Sequence, residues 1–402
     1  MLESWQHVIL IFIAIAIGWL LGGGVRRFKS PKNASVIPPQ YYKGLNYLLN
    51  DEPDGALDTF ISELEVNSET LETHIAVGNL MRRKGEVERA IRIHQNLLAR
   101  PSLPRDYLHQ AHLELAKDYI SAGLLDRAET LLEDLVEESP QYKSVAMHHL
   151  LEIYQDEKEW ERAIDVAKQL LPKKSLLKLK STRAVDSQMT RAIAHYHCQL
   201  AVIAQQKNDF HAARGYLKQA LGYDKKCVRA SLLMAEIEFS TGHYAHALKS
   251  LHKVREQDMA FVPETIDLLR RVYSQQNNES AFHEYMQQCL NDYPSASIML
   301  ALVDEVRNRQ DDQAAASFIG RELRRHPSLR GLGKLVELHI AYSEGKAKEN
   351  LSLLQQLITQ LMKSKPYYQC QHCGFSGKKL HWLCPGCKTW GEMQSIRGAE
   401  GD

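Results

Sequence analysis

Cys370, Cys373, Cys384 and Cys387 stand in two C-x-x-C pairs with ten residues between them. A two-residue gap lets one backbone turn present two thiolates on the same side, and two such turns complete a tetrahedral S4 shell. Gly374 follows the first pair directly, where a backbone turned to aim N–H groups at sulfur favours a residue without Cβ. Pro385-Gly386 fills the second gap and pre-forms its turn. These four cysteines are therefore expected to hold one metal ion, iron or zinc, since both accept S4 coordination. A closed shell leaves no position for water or substrate, which argues against a catalytic zinc. A redox role for an iron site lacks a flavin, nicotinamide or second-metal motif to exchange electrons with. What remains is a staple. A segment of about 30 residues cannot build an adequate core alone, and a structural metal supplies on the order of 10–16 kcal/mol of folding energy.

Around this knuckle, Lys378, Lys379 and Lys388 are placed to offset the negative charge of four thiolates. Tyr367, Tyr368, Phe375, Trp382 and Trp390 are expected to pack over the site or dock onto the last repeats. The other three cysteines, Cys198, Cys227 and Cys289, are isolated in helical patterns, and an odd count without a disulfide spacing indicates a reducing compartment. His195, His197 and Cys198 in "HYHC" have metal-binding side chains. One helical stretch rarely completes a site, so they read as a buried thiol and polar-edge histidines.

The elements that carry the knuckle are helical and repetitive. Charge is balanced, 50 Lys+Arg against 49 Asp+Glu, which excludes a general nucleic-acid-binding field. Ala56, Ala90, Ala128, Ala163, Ala213, Ala247, Ala281 and Ala315 follow one another at steps of 34, 38, 35, 50, 34, 34 and 34 residues. A 34-residue period, with a small residue such as Gly44 or Gly78 twelve positions before the alanine, is the tetratricopeptide (TPR) signature. Small residues let the two helices of a unit approach, and apolar positions three and four apart bury against the next unit. Pro140 and Pro327 fall where second helices must stop. The step of 50 marks an insertion near 172–187, whose Lys173, Lys174, Lys178, Lys180 and Arg183 face either an anionic surface or solvent as a loop. Residues 331–363 can hold a final capping helix pair. No nucleophile–base cluster, phosphate-binding loop or H-E-x-x-H motif occurs along the array, so no enzyme activity is expected.

At the other end, Trp5 to Val25 is 21 residues without a charge. As a helix it would be roughly 31 Å long, the thickness of a hydrocarbon core. Arg26, Arg27, Lys29 and Lys32 follow it, while Glu3 is the one charged side chain before it. The positive-inside rule places the N-terminus outside and the rest in the cytoplasm. A cleaved signal peptide would carry its charges on the opposite side. The expected organisation is a transmembrane anchor at 1–27, a proline-bearing linker at 28–40, a TPR array at 41–364 of about eight to nine repeats, and a metal-binding domain at 365–398.

The order of anchor, array and knuckle, with "GNLMRRKGEVERAIRIHQNLL", "YISAGLLDRAETLLEDL", "KSKPYYQCQHCGF" and "HWLCPGCKTW", resembles the lipopolysaccharide assembly protein B family over nearly the full length. That resemblance implies an all-α fold: a TPR superhelical solenoid with an N-terminal transmembrane helix and a small C-terminal rubredoxin-like metal domain liganded by Cys370, Cys373, Cys384 and Cys387. It implies a single-pass inner-membrane protein with a periplasmic N-terminus and its bulk on the cytoplasmic side. It further implies an adaptor that restrains lipopolysaccharide synthesis by promoting degradation of the lipid A enzyme LpxC by the FtsH protease, opposed by a YejM/PbgA-type membrane protein. A scaffold joining lipopolysaccharide-assembly proteins without proteolysis is the alternative, and a homodimer is left open. The ten-residue gap between the cysteine pairs is shorter than in rubredoxins, which sets their electron-transfer role aside.

Overall fold

The computed structural model describes residues 13–18, 39–50, 52, 55–56, 59, 71–99, 104–171, 180–399 and 401. The expected anchor lies outside these residues, apart from a helical stretch at 13–18 whose Ile13, Ile15 and Ile17 are exposed. Among the described residues no helix is long and apolar enough to cross a membrane. The first named helix, α1 (Pro39–Leu49), begins with Pro39, a residue whose fixed φ suits a first turn.

Helices then follow in pairs: α2 (Leu71–Arg83) and α3 (Val87–Leu98), α4 (Arg105–Ser121) and α5 (Leu125–Glu138), α6 (Lys143–Asp156) and α7 (Trp160–Leu170). Next come α8 (Lys180–Gln206) and α9 (Phe210–Tyr223), then α10 (Val228–Ser240) and α11 (Tyr244–Gln257). A 3-10 stretch, Met259–Thr265, precedes α12 (Ile266–Gln275) and α13 (Glu279–Asp292). The array closes with α14 (Ala296–Arg309) and α15 (Asp312–Arg325), then α16 (Leu329–Tyr342) and α17 (Gly345–Lys363). The last pair is the helix pair expected at 331–363.

The alanine register has the packing role its period implies. Ala90, Ala128, Ala163, Ala213, Ala247 and Ala315 each sit on the fourth residue of a second helix and are fully buried; Ala281 is half-buried. Five residues before the alanine, five of these turns take positive φ. Gly85, Gly123 and Gly242 do so freely, but Lys158 and Asn208 occupy the same place with φ of 63° and 59°. The insertion is not simply a loop. Residues 172–179 lie outside the described set, but Lys180 onward is helical and lengthens α8 to 27 residues. Between Pro172 and Lys180 the sequence holds no further Gly or Pro, so nothing in it opposes an early start of α8.

The chain divides into two compact units, 1–131 and 132–402. In the first, Val77, Met81, Ala90 and Ile93 form a core, with each large side chain contributing roughly 1.5–3 kcal/mol on burial. Beside it His94 is completely buried, its Nδ1 2.5 Å from Asp118 Oδ2. Arg82 donates to Asp118 at 2.7 Å and to Glu114 at 2.6 Å, so the buried carboxylate is paired rather than stranded. The His94 ring lies over Gly78, where an added Cβ would come within 2.4 Å of Nε2.

In the second unit a continuous core runs through α10–α16, with Leu269, Val272, Phe282, Met286, Ile298, Leu302 and Ile319 at its centre. Gly78→Ala should destabilise the first unit by roughly 1–3 kcal/mol through overpacking. Gly215→Ala, in α9 with nothing within 4 Å of its added Cβ, should instead stabilise by about 0.5–1 kcal/mol. Denaturant unfolding of both variants checks the contrast.

Candidate metal centre and its seat

After α17 the chain forms a ribbon of three short antiparallel strands, in the order β2–β1–β3: β1 (Tyr368–Cys370), β2 (Ser376–Gly377) and β3 (Met393–Ser395). Tyr368 faces Gly377 on one side and Ser395 on the other. The two C-x-x-C turns are built alike. In the first, Gly374 N–H donates to Cys370 O at 2.9 Å and Cys370 N–H to Phe375 O at 2.7 Å. In the second, Lys388 N–H donates to Cys384 O at 2.9 Å and Cys384 N–H to Thr389 O at 3.0 Å. Gly374 and Lys388 take the same positive φ, 78° and 52°. The glycine expected to ease the first turn does so; the second pays for its lysine in strain.

These turns bring the four sulfurs within 4.8 Å of one another. Cys370 and Cys387 are 3.8 Å apart and Cys373 and Cys384 3.6 Å. A tetrahedron with metal–sulfur bonds of about 2.3 Å has edges of about 3.8 Å, so the cluster fits one zinc or iron ion. The Phe375 amide favours the Cys373 thiolate, but desolvation and the three neighbouring thiols outweigh it and push that thiol up to about 12. Cys387, despite desolvation, is drawn down to about 6 by the Thr389 hydroxyl and amide. Four crowded thiols split in this way because they cannot all ionise without a cation among them. No other group of three or more His, Cys, Asp or Glu donors among the described residues comes close enough to hold a metal.

Two of the lysines expected near the sulfurs point elsewhere. Lys388 Nζ binds Asp156 at 2.7 Å, and Lys378 Nζ donates to the Lys363 carbonyl at 2.6 Å. Tyr368, Trp382 and Trp390 do dock, but not on the last repeats alone, and Phe375 is exposed. Trp390 is buried against α6, α7 and α8: its Nε1–H donates to Gln155 Oε1 at 2.8 Å, and Tyr196 OH donates to the same oxygen at 3.1 Å. His195 stacks on its face at 5.0 Å, while Trp160 and Tyr196 meet it edge-on. Trp382 stacks on Phe261 at 5.6 Å, and Gln394 donates to Asp258 at 3.1 Å. Tyr368 OH donates to Glu264 at 2.7 Å, and Arg191 pairs with Glu392. Arg397 lies over Tyr293, and Leu329 N–H donates to Ala399 O at 2.8 Å. The ribbon is thus a strap running from the end of α6 to the start of α16.

His195 and His197 are not polar-edge residues; each is 3% exposed. Sequence reasoning also missed Gln155, Asp156, Asp258 and Glu264, which resemble ordinary repeat surface until the ribbon is laid on them.

The comparisons agree with this architecture. The family model described as "Rubredoxin metal binding domain" matches residues 368–395, and a tetratricopeptide repeat model matches 204–271. Lipopolysaccharide assembly protein B of Escherichia coli K12 is 36% identical over 395 residues, 98% of each chain. The Haemophilus influenzae protein of the same name is 30% identical, again covering 98% of each. Among solved structures, a tetratricopeptide repeat protein from Parabacteroides merdae covers 73% of this chain and is itself fully covered, at 14% identity and a TM-score of 0.32. That last likeness is too loose to bear on this chain. The architecture is that of a TPR solenoid carrying a rubredoxin-like ribbon. The chain belongs to the lipopolysaccharide assembly protein B family.

Trp390→Ala should release the strap, so that limited proteolysis cuts within 365–398 while bound metal remains; loss of metal together with the strap would make the seat part of the metal site. Acid should also loosen the seat region. Burial, with Arg229 and Arg191 nearby, holds His195 well below the usual histidine range, and burial with Lys168 lowers His197 to about 4. Unfolded histidines titrate near about 6.5, so below that pH the unfolded chain binds protons that the folded one refuses, and stability falls from there toward pH 4. His197→Phe should flatten that fall in thermal melts taken between pH 7 and 5; an unchanged slope would assign it to other groups.

Proposed function

We propose that this protein is a membrane-tethered adaptor of lipopolysaccharide synthesis, whose helical repeats hold partner proteins and whose Cys370, Cys373, Cys384 and Cys387 bind one structural zinc or iron ion. The observation that carries the reading is the match to lipopolysaccharide assembly protein B of Escherichia coli over 98% of both chains. In this reading residues 1–27 cross the inner membrane with the N-terminus periplasmic, and the array works on the cytoplasmic side. The metal supplies the cross-link that a three-stranded ribbon lacks, and its four thiolates leave no position for a substrate. An adaptor of this kind acts by confinement: a client held beside a membrane protease meets it at a raised effective concentration.

The finer reading names the client as the deacetylase LpxC, the protease as FtsH and the opposing membrane partner as a YejM/PbgA-type protein. These names come from the family resemblance. The half-life of LpxC in cells with and without this protein tests them: depletion should lengthen it, and an unchanged half-life would favour the scaffold that acts without proteolysis. Deleting residues 1–27 should leave the helical array folded by circular dichroism and abolish the effect on LpxC. Full regulation by that soluble form would contradict the tether.

A further inference from the structure

Cys198 and Cys227, isolated in sequence, are brought together by the fold with their sulfurs 3.9 Å apart. Cys198 lies on α8 and is fully buried; Cys227 caps the start of α10 and is 3% exposed. Three features separate this pair from Cys289, the other buried thiol of the array. A cavity of about 580 Å³ opens between the repeats and the ribbon, and Cys227 forms part of its wall with Arg191, His195, Gln257 and Trp382. Small oxidants can therefore reach the wall that Cys227 helps to form, whereas Cys198 is closed into the core. Arg229, two residues on, is 9% exposed, and its Nη1 has no hydrogen-bond partner among the described residues. A buried guanidinium with an unused donor favours an anion beside it.

The two thiols are also unequal. The hydrogen bond with Cys198 draws the Cys227 thiol down; burial and the Asp224 carboxylate oppose this, and the Ala230 amide and Arg229 add to the lowering. Burial pushes Cys198 well up. Position assigns the roles: Cys227, in the cavity wall and at the start of α10, is the sulfur placed to attack, and Cys198, closed into the core, is the one placed to resolve.

We propose that Cys198 and Cys227 are an oxidisable dithiol that hydrogen peroxide converts to a disulfide. The Cys227 thiolate attacks one peroxide oxygen; the O–O bond breaks, and hydroxide leaves and takes a proton to become water. The resulting Cys227 sulfenic acid is attacked by Cys198, the S–O bond breaks, and the Cys198 proton leaves with that oxygen as a second water. The two sulfurs together give up two electrons, and peroxide accepts both. Forming the bond closes the 3.9 Å gap to about 2.05 Å and draws the start of α10 toward α8. The ribbon feels this, because His195, one turn before Cys198, and Arg229 both face Trp390. The pair thus lies directly beneath the seat of the strap.

Peptide mapping of the metal-loaded full chain tests the proposal. After stoichiometric hydrogen peroxide, alkylation of the remaining thiols and digestion without reductant, a Cys198–Cys227 cross-linked peptide should appear, lighter by two hydrogens and reversed by dithiothreitol. Cys289 should stay alkylated. In Cys198→Ser the reaction should stop at a Cys227 sulfenic acid that dimedone traps. Both cysteines remaining alkylatable, or disulfides forming only among the ribbon cysteines, would overturn the proposal. Dimedone labelling of Cys198 in Cys227→Ser, with none of Cys227 in Cys198→Ser, would overturn the assignment of the attacking sulfur.

Discussion

One oxygen atom organises the second unit. Gln155 Oε1 accepts from both Trp390 Nε1 and Tyr196 OH, and both donors belong to buried side chains. A buried donor left unpaired costs about 1–3 kcal/mol, so the glutamine fixes the indole in position as well as holding it. The two residues are 235 apart in sequence. That single seat turns a short, sheet-poor tail into a part of the array. From it the strap runs past the middle of α8, the start of α10 and the 3-10 stretch to the start of α16.

The dependence runs both ways. A ribbon with strands of two or three residues buries little apolar surface, and its own core amounts to Cys370, Cys384 and Met393 with a few flanking side chains. It needs the metal from within and the repeats from outside. The repeats in turn meet mainly their sequence neighbours, which is the weakness of any solenoid. A strap that touches α6 and α16 joins units that their own stacking never brings together. The strap therefore acts as a brace along the array rather than a cap on its end.

Much of this was legible in the sequence because it rests on local spacing. The 34-residue recurrence of alanine located the tight helix crossings, since only a small residue fits where Ala90 or Ala213 lies. Two C-x-x-C pairs located the thiol cluster, since the turn geometry follows from a two-residue gap. The seat was not legible. Gln155, Asp156 and Asp258 are ordinary polar residues on repeat surfaces, and no local pattern says that a distant ribbon will cover them. Lys388 misled for the same reason: proximity in sequence to thiolates suggested charge compensation, whereas its partner is Asp156. The turn at Lys158 was hidden too, because lysine carries no signal for positive φ. The length of α8 followed from an absence of breakers rather than from any positive mark.

A ribbon held together by its metal ion should brace the repeats it lies on. Hydrogen–deuterium exchange on the full chain, before and after the metal is removed with a chelator, addresses it directly. The brace predicts faster exchange in residues 368–399 and also at the seat, in α6, α8 and the start of α10, with the first unit unchanged. Faster exchange confined to 368–399 would contradict it, and would make the ribbon a passenger on repeats that stand without it.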